Sequence, residues 1–175
     1  MTNTLTDVAT LGAGLLVARL TLGLLMAGHG SQKLFGWFGG HGLAGTAGFF
    51  DAMGFRPGRL FATVASGTEV LSGLLVALGF LGPVGPALML SVMIVAAVSV
   101  HWKNGVFATT NGIEVPLLYA GGAVALLLTG PGEFSLDAMI GLGALSTPTP
   151  EFAALLIGVV GGIGNLLLRR PVAAR

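Results

Sequence analysis

Apolar residues gather into five runs, at about Leu11–Phe35, Leu60–Leu81, Val84–Trp102, Ile113–Thr129 and Phe152–Leu168, with polar and glycine-rich breaks between them. A helix needs about 20 largely apolar residues to cross the hydrocarbon core of a bilayer, so the pattern predicts five transmembrane helices. The last two are short and call for little tilt or for local thinning. Gly82-Pro83-Val84-Gly85-Pro86 predicts a tight hairpin with a proline near the start of the third helix. Pro116 falls in the first turn of the fourth, where a missing N–H costs nothing. Ser146-Thr147-Pro148-Thr149-Pro150 reads as a turn ahead of the fifth.

The break between the first two runs, Gly36 to Gly58, mixes many glycines with Trp37, Phe38, Phe49, Phe50, Met53 and Phe55. That is unlike a solvated loop. Leu43, Ala47, Phe50 and Gly54 recur at helical spacing, which predicts a short helix in the headgroup boundary or folded back on the bundle. Trp37 and Trp102 then anchor the same interface.

Composition sharpens the class. With 54% hydrophobic and 9% charged residues, and a mean hydropathy of +0.91, the chain is an integral membrane protein. A net charge of +1 without a basic stripe excludes nucleic-acid binding. The absence of cysteine removes disulfides, thiolate nucleophiles and iron–sulfur ligands, so a redox role requires a diffusible or borrowed cofactor. No metal site is expected. The start, MTNTLTDVAT, lacks the basic region of a secretory signal, so the first helix is expected to be retained. No lipidation motif is recognised at either end.

Charge also sets a direction. Lys33, Arg56, Arg59, Lys103, Arg169, Arg170 and Arg175 fall on one side of the five-pass pattern, and Asp7, Glu133, Asp137 and Glu151 on the other. Short cytoplasmic loops hold the excess of Lys and Arg, which predicts an outside N-terminus and a cytoplasmic C-terminus.

The eighth basic residue, Arg19, lies inside the first run, and Glu69 inside the second. Buried charges in lipid face the bundle interior and a partner. The two are expected to pair, their depths differing by several ångströms at about 1.5 Å per residue. Such a pair fixes helix register or supports a ligand, and the sequence leaves both open. His29 and Lys33 sit one turn apart near the end of the first helix, and His101 and Lys103 close the third. These groups form either a polar cluster that meets a quinone headgroup or passes protons to Glu69, or interfacial side chains satisfied by water. Two histidines on different helices permit bis-His haem ligation, but His29 lies a turn or more deeper than His101, which makes haem unfavoured. Glu114 suits the positive end of the fourth helix. Small residues within the helices, among them Gly73, Gly158 and Gly162, allow close packing on the bundle or on another subunit. His41 is assigned no role.

Taken in order, ARLTLG at Ala18–Gly23, HGSQKLFG at His29–Gly36, GGHGLAGTAGFF, Glu69 with LSGLLVALG, His101, NGIEVPLL and GPGEFSLD at Gly130–Asp137 resemble the DoxX family of bacterial membrane proteins. The resemblance spans about Leu11 to Leu142 and implies an all-α, four-helix membrane bundle over residues 1–145. Residues 146–175 add a fifth transmembrane helix and a basic tail, which depart from the family pattern. Members are similar to the small subunit of a thiosulfate:quinone oxidoreductase, and others are implicated in a complex with superoxide dismutase and a sulfurtransferase. The family pattern falls here on Arg19, His29, Lys33, Glu69, His101 and Glu114. What this implies is an accessory or quinone-interacting subunit of an oxidoreductase in the bacterial cytoplasmic (inner) membrane, with Arg19, His29, Lys33, Glu69 and His101 as the cofactor-binding set. Whether the chain is itself an enzyme stays open. The alternative is a non-catalytic structural subunit, with helix 152–168 as the contact to a partner protein or larger membrane complex.

Overall fold

The computed structural model describes residues 2–171 and is an all-α membrane bundle. The described residues form seven α-helices: α1 Thr2–Phe35, α2 Gly42–Ala52, α3 Gly58–Leu78, α4 Val84–Ala96, α5 Glu114–Thr129, α6 Leu136–Ile140 and α7 Pro148–Leu167. Four stretches are long and apolar enough to cross a bilayer: Asp7–Phe35, Gly58–Leu78, Val84–Asn104 and Pro148–Leu167. Helix α5, at 16 residues, rises only about 24 Å and is the short member anticipated from its hydropathy.

Several boundaries differ from the sequence reading. Helix α1 begins nine residues earlier than Leu11, because the polar opening segment continues the helix beyond its apolar stretch. Helix α7 begins at Pro148 and not at Phe152, so it is 20 residues long and not short. Pro148 and Pro150 suggest a turn by composition, yet prolines in the first turn of a helix sacrifice no intrahelical bond. Helix α4 widens into a π-turn over Ala97–His101 before it ends. Helix α3 stops at Gly79, whose φ of 62° allows Gly79 and Phe80 to donate back to Val76 and Leu75.

Register between α1 and α3 is set by glycine. A Cβ on Gly23 would stand 2.5 Å from the Gly73 carbonyl oxygen and the Ala77 nitrogen, and one on Gly30 would stand 2.7 Å from the Ser66 carbonyl oxygen. With lipid outside, helices associate through such close packing and not through a hydrophobic drive. The antiparallel pair therefore locks Gly23 opposite Gly73 to Ala77 and Gly30 opposite Ser66 to Val70. Met26, Met89, Leu90, Met93, Tyr119 and Leu126 fill the centre where α1, α4 and α5 meet. Outward faces carry exposed Leu117, Leu118, Leu156, Ile157, Val160 and Leu167, which contact lipid.

Helix α2 folds back onto α3 and the end of α1, as one of the two sequence alternatives has it. Thr46 Oγ1 donates to the Lys33 carbonyl at 3.1 Å, and the Gly58 amide that opens α3 donates to Asp51 Oδ1 at 2.8 Å. Helix α7 lies along α4, with Gly158 against Ala87 and Gly162 against Ser91 and Ile94. Its small-residue face is thus filled from within the chain. Beyond it, Arg169 Nε donates to the Met53 carbonyl at 2.6 Å and the Arg170 amide to the Gly54 carbonyl at 2.9 Å. Lys33, Arg56, Arg59, Lys103, Arg169 and Arg170 share this basic end of the bundle, while Arg175 lies outside the described residues.

Candidate functional site

The two embedded charges do not meet, which corrects the expected Arg19–Glu69 pair. Arg19 Nη1 donates to the Ala77 carbonyl at 3.4 Å and Nη2 to the Phe134 carbonyl. Ala77 follows Glu69 by eight residues on α3, an axial offset of about 12 Å that no pair of side chains bridges. The glycine contacts enforce this offset. Arg19 instead serves the Ala77 carbonyl left open where α3 ends, where a cation also suits the helix dipole, and the Phe134 carbonyl in the connection before α6.

Asp137 is the opposite charge that acts on Arg19, with no direct ion pair between them among the described residues. Its carboxylate accepts from the Leu81 amide at 2.9 Å and the Gly82 amide at 2.6 Å, two successive N–H groups of left-handed residues that form an anion nest. The Asp137 amide returns to the Gly79 carbonyl at 3.1 Å. Arg19 and Asp137 are each 2% exposed, and the guanidinium fills the space that a side chain at Gly79 would need. The void beside them is about 10 Å³, room for one water at most. This end is a structural clasp between α1, the α3–α4 hairpin and the α6 segment.

Glu69 is 3% exposed and pairs through Oε1 with Lys33, whose own side chain is 38% exposed. Its second oxygen, Oε2, is buried without a hydrogen-bond partner among the described residues. Both residues line a cavity of about 510 Å³, within the usual range for small-molecule sites. Helix α2 supplies one wall with Phe49 and Phe50, α3 the floor with Phe61 and Ala65, and α4 the other wall with Val92 and Val95. The π-turn brings Ser99 to the lining, and Ser99 Oγ is likewise buried and unpaired. A partly open, mainly apolar space with a few polar groups, two of them unsatisfied, is suited to an amphipathic molecule.

Of the other sequence candidates, Arg19, His29 and His101 do not line this cavity. His29 is exposed and packs edge-on against Tyr119, ring centroids 6.0 Å apart. Tyr119 is buried and lies within electrostatic range of Glu69. His101 Nδ1 is 2.8 Å from the Asn111 carbonyl oxygen, in a loop that Glu114 also closes by accepting from the Ala108 amide at 2.7 Å. No three His, Asp or Glu side chains converge on a metal-sized point among the described residues. His41 and Asn165, neither assigned a role from sequence, are cavity residues. Asn165 carried a usable signal, being the one strongly polar side chain in the fifth apolar run.

The architecture defines a multi-pass helical membrane protein with a ligand-sized chamber at its basic end. The DoxX family profile matches residues 14–102, and the chain belongs to the DoxX family. Those residues run from α1 through the π-turn and include every cavity-lining residue except Asn165. No curated protein and no solved structure matches the chain.

Proposed function

We propose that the chain is a quinone-interacting subunit of an oxidoreductase in the bacterial cytoplasmic membrane, with the basic end in the cytoplasm and the cavity as the quinone site. The observation that carries this reading is a membrane-embedded, largely apolar chamber in which a buried carboxylate is satisfied on only one oxygen. A bound quinone carries two electrons and two protons between its oxidised and quinol forms, the electrons coming from another component of the complex.

The residues present fit such a headgroup. Lys33 offers N–H donors to a carbonyl oxygen while neutralising Glu69. The unpaired Glu69 Oε2 offers an acceptor to a quinol hydroxyl in a largely apolar cavity, where a hydrogen bond is strong. Phe49, Phe50 and Phe61 give the ring apolar faces to stack on. The half-exposed Lys33 links the buried acid to the basic end, so a proton has a short route inward.

Quinone should remain bound to the full-length protein purified in mild detergent. Glu69→Gln should weaken binding of the soluble analogue ubiquinone-1 by about tenfold or more, the loss expected for a hydrogen bond to a charged group. Unchanged retention and unchanged affinity in that variant would overturn the reading.

A further inference from the structure

We propose that Asn165 is a specificity-determining residue of the cavity, so that the helix added after the family-matching segment takes part in ligand choice. The proposal rests on the cavity being a quinone site and deepens that reading. Asn165 is the sole lining residue outside residues 14–102, and it is delivered by α7, which also contributes the contacts that hold it in place.

Gly158 and Gly162 let α7 approach α4 at Ala87 and Ser91, two positions that flank or line the cavity wall. One turn past Gly162, the Asn165 amide faces the chamber and donates through Nδ2 to the Gly161 carbonyl at 3.1 Å, which fixes its rotamer. Arg169 then grips the Met53 carbonyl, and Met53 is itself a lining residue on the far side of the chamber. The end of α7 is therefore strapped across the cavity from the α4 wall to the end of α2.

The level of Asn165 follows from helix packing. Gly85 abuts Leu75 and Val76, which sets Glu69 level with Ser91 and Val92 in the antiparallel α3–α4 pair. Gly162 abuts Ser91 and Ile94, which sets Asn165 about one turn, or ~5.4 Å, nearer the basic end than Glu69. That step is comparable to the spread of oxygens across one quinone ring. Lys33 and Glu69 engage one edge of the ring, and the carboxamide meets the substituents on another.

A carboxamide placed there distinguishes rings by their polar substituents. The methoxy oxygens of a benzoquinone accept from the amide N–H that Gly161 leaves free, whereas the fused ring of a naphthoquinone offers that N–H no acceptor. Sites built to hydrogen-bond a ligand discriminate strongly against analogues lacking the matching group.

The test compares ubiquinone-1 with menaquinone-1 on the full-length protein in nanodiscs, by quenching of tryptophan fluorescence. The parent should prefer ubiquinone-1. Asn165→Leu, a substitution that keeps the branching at Cγ and does not lower helix propensity, should reduce that preference about fivefold or more, and Asn165→Gln should restore part of it. Equal weakening of both probes by Asn165→Leu, or no change, while Glu69→Gln still impairs binding, would overturn the role of Asn165 and leave the quinone site standing. If Glu69→Gln is without effect as well, the site reading itself fails and this inference with it.

Discussion

Arg19 and Glu69 are both ionisable, almost wholly buried and carried by adjacent helices of one bundle, yet their surroundings are opposite in kind. Arg19 is enclosed by backbone carbonyls, with Asp137 near and a void of about 10 Å³ beside it. Only its Nε lacks a partner among its guanidinium nitrogens. Glu69 has one partner, an unpaired second oxygen and about 510 Å³ of open space. Burial alone therefore does not mark a functional charge in a membrane. What separates the two is the room next to them and the capacity left unused.

The largest effect that would sharpen this contrast is expected from Arg19→Ala. Removing it frees the buried Ala77 and Phe134 carbonyls and takes away the opposite charge that acts on Asp137, at a cost of about 3 kcal/mol. Thermal unfolding in detergent, or collapse of the folded yield, reads this out, and a fully stable variant would break the comparison. Asp137→Asn should cost less, about 1–3 kcal/mol, because one backbone donor of the Leu81–Gly82 nest loses its acceptor.

Glu69→Gln should show the converse pattern. Once Glu69 is made neutral, Lys33 at 38% exposure can be solvated, so stability should fall by only about 1 kcal/mol while quinone affinity falls. Destabilisation as large as that from Arg19→Ala would mean that both ends are clasps. The smallest perturbation is a topology map. As the native chain has no cysteine, single Asp7→Cys and Lys103→Cys variants each carry one thiol. With stability changed by less than about 0.5 kcal/mol, an impermeant maleimide should label the first from outside intact cells and the second only after the membrane is opened. The reverse labelling would invert the proposed orientation.

Much of the architecture was legible because hydropathy alone decides which segments can lie in lipid. The four long helices, the short α5 and the existence of α2 follow from that pattern, with the folding back of α2 one of two alternatives it allowed. Partnering of charges was not legible, because a shift of one turn between α1 and α3 changes every neighbour and no periodicity encodes it. The register depends on Gly23, Gly30 and Gly73, whose importance appears only when two backbones are seen to touch. Lys33 and Glu69 were both recognisable as candidates, but their union required the actual offset. His29 and His101 were grouped in sequence as end-of-helix polar residues at unequal depths, and the Tyr119 ring and the loop closed by Asn111 hold them away from the cavity. The small-residue face of α7 pointed to a docking surface without saying for what. Its occupant is α4. Deleting residues 152–175 consequently would alter the cavity as well as any partner contact, so outward-facing Leu156 and Val160 are the better positions for probing a neighbouring subunit.

The grip of Arg169 on Met53 also has a bearing on biogenesis. Arg169 is synthesised after every residue that lines the chamber, so α1 to α5 can enter the lipid while one side of their shared interior is still open. On the proposed quinone reading, a hydrophobic guest reaches its final pose only after that last strap has been threaded.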